Sequence, residues 1–214
     1  QINSPGGSPV QSEMISLRIR ELSEKNNIPV LAFIEDVAAS GGYWLACAAD
    51  EIFASKASIV GSIGVVSSGF GFDKAIEKLG VQRRLYTSGD NKAILDPFLP
   101  ENKEDVKRLK VIQKELHSQF IAFVKSRRGS KIKDDNKEVF TGAFWSGESG
   151  IEIGLIDSFG EMRRVLKERF GNKIKIKEFA PKKKLFGFSS LLAGAMEMLI
   201  FKIEERSILK RFGL

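Results

Sequence analysis

The sequence predicts an α/β fold with a mostly parallel sheet flanked by helices, and three observations point to it. Strand-like apolar runs alternate with helix-like amphipathic runs through the first half of the chain, the pattern of strands joined by helical crossovers. The stretch "VAASGGYWLACAAD", Val37 to Asp50, passes from an apolar run through one serine and two glycines into a helix-like segment, which is too short to cross a membrane. Glu101 to Arg127 carries Val106, Leu109, Gln113, Leu116, Phe120 and Phe123 at helical spacing, a mainly apolar stripe that belongs to a core-facing helix.

The elements follow in order. "QINSPGG" has no initiator methionine and reaches the turn residues Pro5, Gly6 and Gly7 at once, so a segment upstream of Gln1 is expected. "VQSEMISLRIRELSEKN" is an amphipathic helix, "IPVLAFIE" a buried strand ending at Glu35, and Gly41 to Ala49 a short helix. "EIFAS" and "IGVVSSGFG" are further strands separated by the glycine-rich "SIVGSIG", Asp73 to Leu79 is a helix, and "VQRRLYT" is a strand. After the long helix, "TGAFWSGESGIEIGLIDSFG" returns to the body, Glu161 to Phe170 is helical, and "KIKIKEFA" alternates as an edge strand does. Leu185 to Leu214 is helical but separate. Residues 1–180 therefore form the main domain, and residues 181–214 a C-terminal helical segment suited to association.

Composition excludes several classes. The 34 basic and 27 acidic residues leave a net charge of +7, but the basic residues are spread along the chain without a zinc-finger or RNA-binding signature, so nucleic acid is not an expected partner. The tightest basic cluster, Lys182 to Lys184, adjoins apolar residues in a way that suits lipid headgroups at a membrane surface. A single cysteine and a single histidine rule out an intrachain disulfide and a Cys/His zinc site. Cys47, inside "YWLACAAD", is expected to be a small buried apolar residue rather than a nucleophile.

Ser40 is the first candidate for chemistry, because a strand, a tight turn and a helix hold a nucleophile at a helix N-terminus. The alternative is a serine that simply caps the helix. A serine nucleophile needs a proton acceptor, and His117, the only histidine, lies mid-helix, where a boundary role is expected. The remaining base is a lysine kept neutral by burial. Lys92 follows a glycine turn and precedes Ala93, Ile94 and Leu95, an apolar setting for such an amine; the alternative is a solvated loop lysine.

"INSPGG", "ASGGYWLACAADEIFA", "GSIGV", "SGDNKAILDPF" and "GAFWSGESGIEIGLIDSFG", in this order, resemble the signal peptide peptidase A family, also called protease IV or SohB-type peptidases. The resemblance runs from Ile2 to about Gly160 and implies a ClpP/crotonase-like fold. It implies Ser40 as nucleophile and Lys92 as general base, at a separation typical of single-domain members. Ser62 matches the serine that orients the lysine, and Gly7 and Gly41 match the amides of the oxyanion hole. The family needs no cofactor. It acts on peptides, typically hydrophobic ones such as cleaved signal peptides, and forms ring-like homo-oligomers. It is found at the bacterial inner membrane with the catalytic domain facing the periplasm. Members have a strand before "INSPGG" and often a membrane anchor upstream, neither of which this sequence contains. Ser149 and Gly150 stand where an alanine and a larger apolar residue are expected. Two rivals share the fold: an acyl-CoA enzyme of the crotonase class, with Glu35 and Asp36 as its only nearby acids, and a scaffold that has lost activity.

Overall fold

In a computed structural model, which describes residues 1–132, 137–179, 206–207 and 209–213, the longest strand organises the sheet. This strand, β2 (Leu31–Ala39), is buried in two blocks separated by the exposed pair Glu35 and Asp36. It pairs in parallel with β1 (Ile2–Ser4), with β3 (Glu51–Ala54) through its first half and with β4 (Ile59–Gly61) through its second. Blocks of consecutive buried residues are expected of a parallel strand covered on both faces. β5 (Phe144–Ser146) joins β4 antiparallel and β6 (Ser158–Phe159) joins β3 in parallel, giving the order β5-β4-β2-β3-β6 with β1 against β2. The α/β class and the mostly parallel sheet are as the sequence predicts.

The helices lie where sequence pattern puts them. α1 (Pro9–Asn26) starts at the N-cap Ser8 with proline in its first turn and ends at Asn27 in the left-handed conformation, the usual start and stop chemistry. α2 (Gly41–Ala46) is shorter than the expected Gly41 to Ala49, and α3 (Asp73–Lys78) ends one residue before the expected Leu79, which is its C-cap. α4 (Lys103–Arg128) is capped by Asn102, with Glu104 and Asp105 in its first turn and Lys125, Arg127 and Arg128 in its last, which complements the helix dipole. α5 (Gly147–Glu152) and α6 (Met162–Phe170) complete the set.

The core unites Ile34, Tyr43, Ile52, Val60, Ile63, Phe120, Val124 and Leu155. Trp44 of α2 stacks on Phe120 and Phe123 of α4 at ring distances of 4.6 and 5.6 Å. Arg128, 2% exposed, donates to the Gly154 carbonyl and to Asp157. Burial pushes the Asp157 carboxyl up, but the bonds from Arg128, Lys131 and the Ile52 amide outweigh it and hold the group below its ordinary value. Gly150 is buried where a Cβ would lie 2.8 Å from Val60 Cγ2, so close packing of α5 on β4 explains the glycine that departs from the family pattern.

Several expectations fail for identifiable reasons. "IGVVSSGFG" and "VQRRLYT" form no strands, because residues 64–100 hydrogen-bond only to one another among the described residues and find no partner strand. "KIKIKEFA" likewise forms no strand over its described residues. β2 continues past Glu35 to Ala39, and Ile2–Ser4, just before the turn residues Pro5 to Gly7 and outside every element expected from sequence, is a strand. α1 turns serines inward: Ser12, Ser16 and Ser23 are buried while Val10, Met14, Leu17 and Leu22 are exposed. Small side chains let α1 lie close to α2, as the 3.4 Å bond from Ser16 Oγ to the Trp44 carbonyl records. The proposed boundary at residue 180 and most of Leu185 to Leu214 lie outside the described residues. Within the described part, Lys210–Phe212 forms a short 3-10 turn, and Phe212 meets Phe144 edge-on at 4.8 Å.

Candidate active site

The site begins where β2 ends. Ser40 follows Ala39 directly, with φ 50° and ψ −121°, a backbone conformation that costs a non-glycine residue about 1–3 kcal/mol. Its amide donates to the Gly61 carbonyl at 2.9 Å and its carbonyl accepts from the Trp44 amide at 2.9 Å, so the neighbouring strand and α2 hold the strained turn. The N-cap alternative requires the hydroxyl to bond an amide of the first turn. No such bond is made. Ser40 is partly exposed and its Oγ has no hydrogen-bond partner among the described residues.

Gly6, Gly7 and Gly41 surround this serine. A Cβ on Gly6 would sit 3.2 Å from Ser40 Cβ and 3.5 Å from its Oγ, and Gly6 has φ 141°, so only glycine lets the β1–α1 connection pass so close. A Cβ on Gly41 would lie 2.6 Å from Ser12 Oγ and 3.2 Å from the Gly7 amide nitrogen. The amides of Gly7 and Gly41 thus belong to one small region beside Ser40, and neither has an acceptor among the described residues. Gly7 is open to solvent, with nothing within 4 Å of its Cβ position. Two unmet donors next to a hydroxyl can stabilise an oxyanion formed by attack of that hydroxyl.

Ser62 stands beside Ser40 across the sheet. β2 and β4 pair Ala39 with Gly61, so Ser40 and Ser62 are the next residues at the C-terminal ends of parallel neighbours, where α/β sheets build their sites. Ser62 has φ 53°, and its amide donates to the Ala143 carbonyl at 2.7 Å.

Lys92 is different. Among the described residues the apolar enclosure expected of it is not formed: Lys92, Ile94 and Leu95 are exposed, and no hydrogen bond joins Lys92 to Ser40 or Ser62. The cause is the arm that carries it, residues 64–100, which among the described residues hydrogen-bonds only to itself. A cavity of about 770 Å³ between this arm and the start of α4 has walls that include Phe70, Asp73 and Leu95 but neither Ser40 nor Lys92.

Other candidates fall away on geometry. Cys47 is fully buried, and burial pushes its thiol up to about 12, so it holds no thiolate at neutral pH. His117 Nε2 donates to the Ile63 carbonyl at 3.0 Å and cannot also accept a proton from Ser40 there. Glu35 and Asp36 are exposed on β2, four to five residues before Ser40, or about 13–17 Å along an extended chain. Sequence reasoning overlooked Gly6 and Ser12. The doubled glycine of "SPGG" marks the first, and the i, i+4 spacing of Ser12 and Ser16 on a close-packed helix face marks the second.

Comparison with known proteins identifies the family. The sequence profile of peptidase family S49 matches residues 23–173. A Na(+)/H(+) antiporter NhaA of Brucella abortus (strain 2308) is 47% identical over 227 residues, covering 100% of this chain and 31% of that protein. A protein of Enterococcus faecium named for signal peptide peptidase SppA is 35% identical over 162 residues, covering 75% of this chain and 46% of its own length. This chain thus spans less than half of either relative. Among solved structures, an enoyl-CoA hydratase/isomerase from Marinobacter aquaeolei is similar over 90% of this chain and 59% of that one, at 16% identity and TM-score 0.39.

Proposed function

Because the chain belongs to peptidase family S49, we propose that it is a serine endopeptidase in which Ser40 attacks a peptide carbonyl and Lys92 is the general base. One observation carries the reading: a strained, uncapped serine at the end of β2, next to two glycine amides without acceptors among the described residues. Neutral Lys92 takes the Ser40 proton as the C–O bond forms and returns it to the leaving amine; water then hydrolyses the acyl-enzyme by the same route. Gly7 and Gly41 donate to the tetrahedral oxyanion. The Ser62 hydroxyl fixes the lysine amine in one orientation.

The exposure of Lys92 sets a requirement. A lysine base must be neutral, and solvent favours the ammonium, so something must cover the arm. Val66, Phe70, Leu79, Val81 and Tyr86 on that arm are 55–90% exposed, more apolar surface than a monomer ordinarily leaves bare. We assign the cover to a second copy of the chain, in the homo-oligomer that the family resemblance implies. Hydrophobic peptides, cleaved signal peptides among them, fit an active site bounded by such apolar surfaces.

The membrane assignment is likewise a proposal. Among the described residues no helix is long and apolar enough to cross a bilayer, and Lys182 to Lys184 lie outside them. The antiporter name of the Brucella relative is what supports a place at a bacterial membrane, and the periplasmic side rests on the family resemblance alone.

The test is cleavage of an apolar peptide by the purified chain. Ser40→Ala and Lys92→Ala are each expected to abolish it, and the double variant to be little worse, because residues acting as a unit are not additive. Full activity in either single variant overturns the dyad.

A further inference from the structure

His117 lies in α4, one turn before Phe120. Its Nε2 meets the carbonyl oxygen of Ile63 at 3.0 Å. A carbonyl can only accept, so Nε2 carries the hydrogen and a neutral ring is held as that tautomer. Ile63 is fully buried and directly follows Ser62. The Ser62–Ile63 unit is therefore pinned on two sides, by the Ser62 amide to Ala143 and by the Ile63 carbonyl to His117.

The same helix also supports the other half of the site. One and two turns beyond His117, Phe120 and Phe123 stack on Trp44, in the helix that begins immediately after Ser40. α4 is thus a common brace for the serine at the end of β2 and the serine at the end of β4. Ser62 needs such a brace, since at φ 53° it occupies a conformation from which a serine tends to relax.

We propose that His117 is a positioning residue that holds the Ser62 turn in register with Ser40 through α4. The inference rests on the reading of Ser62 as the serine that orients Lys92, and it gives the imidazole no part in proton transfer. It touches no substrate. Its hydrogen bond to Ile63 keeps the Ser62 hydroxyl where the lysine amine must be met. Misplacement of a reacting group by about 1 Å can cost on the order of 100-fold in rate, and a partial release costs less.

The test compares His117→Leu, which removes the donor, with His117→Gln, whose side-chain amide can donate from nearly the same point. Leucine is expected to lower kcat by about tenfold with KM nearly unchanged, because the orientation matters in the transition state rather than in binding. Glutamine is expected to restore most of kcat. Equal losses in both variants, or no loss in leucine, overturn the inference. Since the chain has one histidine, its ring-nitrogen spectrum is unambiguous: the Nε2-protonated tautomer is expected, and the Nδ1-protonated form or rapid averaging contradicts the contact. Absence of Ser40-dependent cleavage in the parent chain overturns the peptidase reading, and the positioning role with it, while the nitrogen spectrum separately decides whether the tether exists.

Discussion

Ser40 and Ser62 end neighbouring parallel strands one residue beyond the paired Ala39 and Gly61, and both are held at positive φ, 50° and 53°. Of the described residues, only Asn27 and Leu95 join them as non-glycine residues with positive φ. Asn27 is a helix cap, where that conformation is ordinary. The two serines have no such local excuse. Two strained serines side by side, rather than the glycines that would relieve them, fit the roles proposed for their hydroxyls.

That strain gives the first prediction. Ser62→Gly relaxes the left-handed position by about 1 kcal/mol and removes the hydroxyl, so the melting temperature is expected to hold or rise while peptide cleavage falls. A glycine variant that is both active and stable shows that the hydroxyl is dispensable.

Gly41 gives the second. An alanine Cβ meets Ser12 Oγ at 2.6 Å and the Gly7 nitrogen at 3.2 Å, and so forces apart the two amides. Gly41→Ala is expected to reduce kcat by about 10²-fold, the typical cost of an oxyanion donor. Its folding is expected to suffer by only about 1–3 kcal/mol. Unchanged kcat in the folded variant removes these amides from the reaction.

Asp157 governs acid stability. Its carboxyl is held below its ordinary value in the folded chain, so its stabilising contribution is complete above that ordinary value. The contribution is lost as pH falls through the lower, folded value. Asp157→Asn leaves Arg128 buried without its carboxylate and is expected to cost about 3 kcal/mol at neutral pH. Denaturant titrations should show this gap closing as pH falls through the lowered, folded value, below which the parent carboxyl is itself protonated. A gap that stays constant with pH contradicts the pairing.

The exposed arm supplies the fourth prediction. Phe70→Ser combined with Tyr86→Ser, at positions 80% and 90% exposed, is expected to leave the fold of one chain intact. In light scattering it should shift the protein to smaller species, and activity should fall with the loss of mass. An unchanged mass distribution removes the second copy from the account of Lys92.

What the sequence made legible follows from how local each signal is. The apolar run before Ser40, the glycines after it and the stripe on α4 are local patterns, and β2, α2 and α4 appear accordingly. The strands expected in residues 64–100 rest on strand-like runs in the sequence, and a strand also needs a neighbour to bond, which these residues do not find among the described residues. The apolar spacing of α1 predicts an ordinary amphipathic helix. Its serine face turns inward because α2 approaches it closely, a tertiary fact invisible in the spacing of apolar residues. Ser40, Ser62, Gly7 and Gly41 come together because parallel strand ends converge, and the motif order anticipates that. The enclosure of Lys92 could not be read from Ala93, Ile94 and Leu95, since apolar neighbours in sequence desolvate an amine only when the chain folds them over it.

The most direct test of the central claim is covalent labelling with a serine-directed fluorophosphonate, read by peptide mass spectrometry. The account predicts one modified residue, Ser40, with labelling lost in Ser40→Ala and much slowed in Lys92→Ala. A label on another residue, or undiminished labelling of the Ser40→Ala protein, contradicts it.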